Sequence, residues 1–193
     1  CQKTRKVDAF GNKVPEWGLL PPGTMADWEV YNFYYCMNGY YYAGLNAAGH
    51  ALGDIGYPGA GDMITAAAEL RENILRAFHW TQSQAPVYPL QDGTWVPAYP
   101  THVYCPGPID NFYKGEDFGR SWAYDVEIGS HHLIPQGVMS PDSKDAHWIM
   151  NHMEDVQFMG SGWGYDGYTS DKNHKDWFNL GGFAKVQHYY ART

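Results

Sequence analysis

Residues 86–122 read PVYPLQDGTWVPAYPTHVYCPGPIDNFYKGEDFGRSW. Proline and glycine punctuate this stretch too often for a helix, since proline removes an amide donor and interior glycine is entropically costly. It nevertheless carries four Tyr and two Trp, Tyr99 and Trp95 among them, beside Asp92, Asp110, Glu116, Asp117 and Arg120. Disordered segments are poor in aromatic residues, and this one has them in excess. A connection of about thirty residues inside a compact domain is uncommon, and an ordered one usually carries function. The stretch is therefore expected to be a functional loop, held by helices on either side.

Upstream, residues 28–55 are apolar or aromatic on nearly every face of a helix, which predicts a buried inner helix. Asp27 stands where its N-cap would be, with Glu29 in the first turn. The small residues Gly39, Ala43, Gly44, Ala47, Ala48 and Gly49 would let a neighbouring helix approach closely. After a turn at residues 56–59, Met63, Ala67, Leu70, Ile74 and Phe78 recur at three- and four-residue spacing, with Glu69, Arg71, Glu72 and Arg76 turned away. That pattern predicts an amphipathic outer helix over residues 62–80.

Downstream the plan repeats. Residues 121–134 read as a second inner helix ending near Pro135. Ser140 would cap an outer helix with Pro141 at its first position, burying Ala146, Ile149, Met150, Met153 and Val156 and running to residue 158. Pro58 and Asp62 correspond to Pro141 and Asp145 about eighty residues later, as a repeating hairpin requires. Residues 183–190 would open a third inner helix. The expected fold is all-α, an array of antiparallel helical hairpins in one domain over residues 1–193. Residues 1–14 form an exposed lead-in with a turn at Gly11 and Asn12. Each long aromatic loop (residues 15–27, 86–120 and 160–182) precedes an inner helix, so all three should lie at one end of the array. Trp17, Asp27, Trp95, Tyr99, Arg120, Trp122, Trp163, Asp166 and Trp177 would then share one face.

Thirteen Lys and Arg stand against 21 Asp and Glu, a net charge of −8 with no basic stripe, which argues against nucleic acid or an anionic membrane surface as partner. Sixteen Tyr and eight Trp, within an aromatic content of 17%, are an excess over ordinary domains. In loops, such rings offer flat apolar faces with polar edges, which suits stacking on pyranose rings. Loop 86–122 is thus expected to form one wall of a sugar-binding cleft. Cys1, Cys36 and Cys105 lack CxxC spacing and define neither a disulfide framework nor a zinc site. Cys36 reads as a buried free thiol, with a Cys36–Cys105 bridge left open. His131 and His132 are adjacent, and His147 and His152 are five apart, so neither pair shares a helical face and no metal is expected. No phosphate-cradling loop, dinucleotide fingerprint or serine-hydrolase elbow implies a cofactor or nucleophile. No apolar run reaches the roughly 18 residues of a membrane-spanning helix. The chain begins at Cys1 rather than Met and stops at residues 190–193 in what reads as a helix opening, as a piece of a longer protein would.

Several runs taken together resemble the six-hairpin glycosidases: GLLPPG (18–23), YNFYYCMNGYYYAGLNAAGHAL (31–52), AAELRENILRAF (67–78), PVYPLQDGTWVPAYP (86–100) and GWGYDG (162–167). The resemblance implies that the hairpins, at about 28–80 and 121–158 with a third opening near 183, belong to an α/α toroid. The rest of that toroid, or a partner chain, would complete it. It also implies carbohydrate processing, and from the substrate an extracellular or periplasmic setting. Glycoside hydrolysis needs two carboxyl groups flanking the bond, one a protonated acid of raised pKa and one a base or nucleophile. The candidates are Asp92, Asp166, Glu116 and Asp117. Asp92 sits among rings, where desolvation would raise its pKa, although an Asp before Gly also forms turns. Glu116 and Asp117 lie near Arg120, where an ion pair is the plainer reading. Trp95, Tyr99, Trp122, Trp163, Tyr168 and Trp177 would stack on sugar, and Arg120 would bond hydroxyl or carboxylate groups. One alternative is a polysaccharide lyase using Tyr99, His102 and Arg120, against which the net charge of −8 counts. Another is a non-catalytic helical scaffold that binds glycan or protein.

Overall fold

A computed structural model of the chain describes residues 1–25, 28–107 and 128–155. A 3-10 turn at Gln2–Thr4 is followed by strands β1 (Gly23–Met25) and β2 (Trp28–Asn32) and helices α1 (Tyr35–Asp54) and α2 (Ala60–Gln82). Then come strands β3 (Val87–Pro89) and β4 (Trp95–Pro97), a 3-10 turn at Ser130–Leu133 and helix α3 (Lys144–His152). The all-α expectation is overturned. Two antiparallel two-stranded sheets, β1–β2 and β3–β4, accompany the helices.

The first error lies at residues 28–34, expected to be helical and found extended. Aromatic and β-branched side chains fit a pleated chain at least as well as a helix, so backbone partners decide. Those partners are distant in sequence. Gly23 pairs with Asn32 and Met25 with Trp28. Tyr34 bridges to His102, the Val103 amide donates to the Phe33 carbonyl at 3.2 Å, and the Tyr35 amide donates to the Thr101 carbonyl at 3.1 Å. Helix α1 therefore starts after an extended Tyr34 that supplies no side-chain cap. Asp27 lies outside the described residues, and the segment it was expected to cap, from Trp28 on, is a strand.

Helices α1 and α2, joined by the turn at residues 55–59, make the expected hairpin. In α2, Ala67, Leu70, Ile74 and Phe78 are buried as the spacing predicts. Helix α1 is not buried on all sides as expected. Tyr35, Cys36, Asn38, Gly39 and Gly49 are covered, while Met37, Tyr40 and Tyr41 face solvent. Two glycines of α1 do allow close approach. A Cβ on Gly49 would stand 2.8 Å from Ile64 Cγ1 and 3.2 Å from the Ile64 amide nitrogen, and one on Gly39 would strike the Gln136 side chain. By contrast, nothing lies within 4 Å of the corresponding point on Gly44. Gly44→Ala is accordingly expected to stabilise the protein by about 0.5–1 kcal/mol through helix propensity. Gly49→Ala should destabilise it by about 1–2 kcal/mol, because overpacking against α2 outweighs the same gain. Urea unfolding of both variants reads the opposite signs; equal signs would mean that Gly49 does not set the helix separation.

The main core lies between α2 and α3. It joins Leu70, Ile74 and Phe78 to Tyr99, Val103, Leu133, Val138, Ile149 and Met153. At the surface, His79 Nε2 lies 2.8 Å from Asp145 Oδ2, linking the last turn of α2 to the first of α3. The second hairpin differs from expectation. Of residues 121–134, only 128–134 are described, and Gly129 is extended before a 3-10 turn, so no α-helix runs to Pro135. The outer helix starts three residues later than predicted: Ser143, not Ser140, is its N-cap, its Oγ accepting the Ala146 amide at 3.2 Å. Ala146, Ile149, Met150 and Met153 are buried as expected, whereas Val156 lies outside the described residues. So do residues 160–193, including the proposed third helix.

The lead-in is largely exposed, as expected, yet it is tied down. Thr4 Oγ1 donates to the Leu19 carbonyl at 2.6 Å. The Arg76 guanidinium donates to the carbonyls of Val14, Pro15 and Trp17 at 3.2, 3.2 and 2.9 Å. Among the described residues no helix is long and apolar enough to cross a membrane.

Candidate functional site

The organising stretch is a hairpin where it is described. β3 and β4 pair with Val87 opposite Pro97, Tyr88 opposite Val96 and Pro89 opposite Trp95. Residues 90–94 close the turn: the Leu90 amide donates to the Thr94 carbonyl at 2.7 Å, and Gly93 takes a φ of 85°. Side chains alternate along a strand. Val96 is accordingly buried while Trp95 is 61% exposed, its indole open to solvent. The Gln91 amide donates to Asp155 Oδ2 at 3.0 Å, anchoring the turn to the chain beyond α3.

Asp92 occupies the tip of this turn. Desolvation among rings was expected to raise its pKa; instead the carboxyl is fully exposed and its pKa is lowered, chiefly by the Thr94 amide, which donates to Oδ1 at 2.8 Å. Asp92 is thus an ionised acceptor. It does not suit the protonated acid of a carboxylate pair.

Tyr99 does not present a stacking face. It is 3% exposed and stands edge-on to two histidines, with ring centroids 6.0 Å from His131 and 5.3 Å from His152. His152 also meets Tyr88 at 5.1 Å, His131 meets His132 at 4.4 Å, and the Tyr40 hydroxyl lies 3.4 Å from His132 Nδ1. A series of titratable rings therefore runs from Tyr88 on β3 to exposed Tyr40 on α1. Sequence reasoning missed it because His131 and His132 were placed on an α-helix, about 100° apart; in the 3-10 turn both are buried. His152 follows Ile149 by three residues on the buried stripe of α3, which is the signal that could have found it. Neither ring nitrogen of His152 has a hydrogen-bond partner among the described residues, and burial pushes its pKa down to about 4. No group of three His, Cys, Asp or Glu among the described residues could hold a metal ion.

Sequence reasoning also missed a surface aromatic pair. Tyr104 and Trp80 meet edge-on at 5.4 Å, and both are exposed. Tyr104 has a φ of 70°, an unusual backbone conformation for a bulky residue. Its hydroxyl donates to Glu16, and burial together with that carboxylate raises its pKa. Glu16 lies within the loop that Arg76 pins.

His102, a candidate for lyase chemistry, is fully buried, with Nδ1 2.7 Å from the Val103 carbonyl and its ring edge-on to Tyr34. Burial pushes its pKa down to about 4. Cys36 and Cys105 belong to one small buried cluster with Tyr34 and Ile128 and form no disulfide. Trp17, the remaining described member of the expected face, is half-buried beneath the Lys13 ammonium, 5.1 Å from its ring centroid. Glu116, Asp117, Arg120, Trp122, Trp163, Asp166, Tyr168 and Trp177 lie outside the described residues. Comparison with protein-family models, with curated proteins and with solved structures finds no match for this chain.

Proposed function

We propose that this chain is carbohydrate-active, a glycoside hydrolase or part of one, with the β3–β4 turn on its substrate face. One observation carries the reading: the turn holds an open indole, Trp95, three residues from an ionised, solvent-facing carboxylate, Asp92. An indole face stacks on the C–H face of a sugar ring, and a carboxylate accepts its hydroxyl protons. Asp92, ionised, fits the base side of a hydrolytic pair or a substrate contact, and a protonated partner would come from Glu116, Asp117 or Asp166.

Elimination chemistry is less well supported. Tyr99 and His102, two of the three residues it would use, are buried in the core, out of reach of a polymer in solvent. Soluble polysaccharides, offered singly to the full chain, test the reading by indole fluorescence and by release of reducing ends. Trp95→Ala is expected to weaken binding about tenfold, the scale of one lost aromatic contact. Asp92→Asn should reduce turnover more than affinity if Asp92 is the base. Binding without turnover would favour the scaffold reading, and affinity unchanged in Trp95→Ala would remove the turn from the site.

A further inference from the structure

A cavity of about 280 Å³ opens between the N-terminal segment and the α1–α2 hairpin, and no residue of the β3–β4 turn lines it. Leu45 and Leu70 give it an apolar floor, and Tyr41 of α1, half exposed, stands on one side. Arg5, Glu69 and Asn73 line its polar part. Arg5 and Glu69 form an ion pair across the two chain segments, and Asn73 Nδ2 donates to the Glu69 carbonyl at 2.9 Å. That Nδ2 bond leaves the carboxamide a second Nδ2 proton and its Oδ1 with which to meet a ligand. The position of this carboxamide depends on Gly18, where a Cβ would stand 2.5 Å from Asn73 Nδ2.

We propose that this cavity binds a single pyranose or cyclic polyol. Its volume lies just below the range of about 300–1,000 Å³ usual for small-molecule pockets, so the occupant is a single small ring. Charge narrows the class further. An anion drawn to Arg5 would meet Glu69, and a cation drawn to Glu69 would meet Arg5, so the ion pair disfavours both. A neutral polyhydroxy ring suits it, donating hydroxyl protons to Glu69 and accepting from Arg5. Asn73 can do both, and Tyr41 with the two leucines covers the C–H face. The site shares no residue with the Trp95–Asp92 turn and does not depend on that reading.

Titration of the full ¹⁵N-labelled chain with methyl β-D-glucopyranoside, and separately with myo-inositol, tests the proposal by amide chemical shifts. At least one ligand should shift the amides of Tyr41, Leu45, Glu69 and Asn73 saturably, with Kd in the millimolar range expected of so small a contact area. Tyr41→Ala should weaken binding about tenfold, and Glu69→Gln, which breaks the ion pair, should also weaken it. Trp95→Ala should leave it unchanged. Because Tyr41 and Glu69 are exposed, both variants should fold, and their thermal melts check this. The proposal is overturned if neither ligand gives saturable shifts at these residues, or if folded Tyr41→Ala binds as tightly as the parent. Loss of binding in Trp95→Ala alone would transfer the ligand to the β3–β4 turn and also overturn it. Failure here leaves the polysaccharide experiments untouched, and failure there leaves this titration untouched.

Discussion

Lowering the pH from 7 to 4 is expected to cost this fold roughly 6 kcal/mol through two buried histidines, His102 and His152. Burial holds both neutral, with pKa values pushed from 6.5 down to about 4. Above pH 6.5 the imidazoles are neutral in folded and unfolded chains alike, and neither contributes to pH dependence. Between 6.5 and 4 the unfolded chain takes up protons that the native state refuses, so stability falls with pH. One pKa unit corresponds to about 1.4 kcal/mol, which gives roughly 3 kcal/mol for each residue at pH 4. Urea unfolding at a series of pH values measures the slope.

The two histidines should respond differently to substitution. Since the His152 nitrogens lack hydrogen-bond partners among the described residues, His152→Phe loses no bond there and removes a desolvated polar ring. It should be neutral or stabilising at pH 7 and should remove about half of the acid slope. The Val103 carbonyl can only accept, so His102 is the Nδ1–H tautomer and donates to it at 2.7 Å. An apolar replacement of His102 should therefore destabilise at pH 7. An acid slope unchanged in His152→Phe would show that other groups control acid unfolding.

Phe78→Ala is expected to destabilise the protein by about 3–5 kcal/mol, the cost of a cavity in a well-packed core. Phe78 is fully buried on α2 and meets the Tyr35 ring edge-on at 5.9 Å, so its loss opens the seam between α1 and the α2–α3 core. Tyr35→Phe makes the useful contrast. It deletes a buried hydroxyl that lies 2.9 Å from the Ala77 carbonyl and 2.6 Å from Thr81 Oγ1. Thr81 keeps its own bond to the Ala77 carbonyl at 3.0 Å, so this loss should cost only about 1–2 kcal/mol. If Phe78→Ala cost no more than Tyr35→Phe, the α2 stripe would not be the centre of the core.

Local information carried far in some places. The α2 stripe was legible because its apolar side chains repeat at helical spacing over about three turns, and Ala67, Leu70, Ile74 and Phe78 are all buried. The buried face of α3 was legible for the same reason, although its start was misplaced. Two serines precede that helix and each Oγ accepts an amide, Ser140 from Asp142 at 3.4 Å and Ser143 from Ala146 at 3.2 Å, but the helix begins only after the second. The turn at Asp92 and Gly93 was legible from its residues, but its electrostatics were not. Whether a carboxyl among aromatic residues is desolvated depends on where the rings point, and Trp95 points away from the core while Tyr99 points into it.

By itself the sequence determined the α1–α2 hairpin and the apolar faces of α2 and α3, which follow from spacing within one element. It did not determine which small residues of α1 lie close to a neighbour, Gly39 and Gly49 but not Gly44. Tertiary structure decided the rest. Residues 28–34 became extended because residues 23–25 and 101–103 offered them backbone partners, and Tyr99 entered a cluster with His131 and His152 because the 3-10 turn and α3 pack around it. Those contacts join residues far apart in the chain, and no local pattern records which distant amide or ring will arrive.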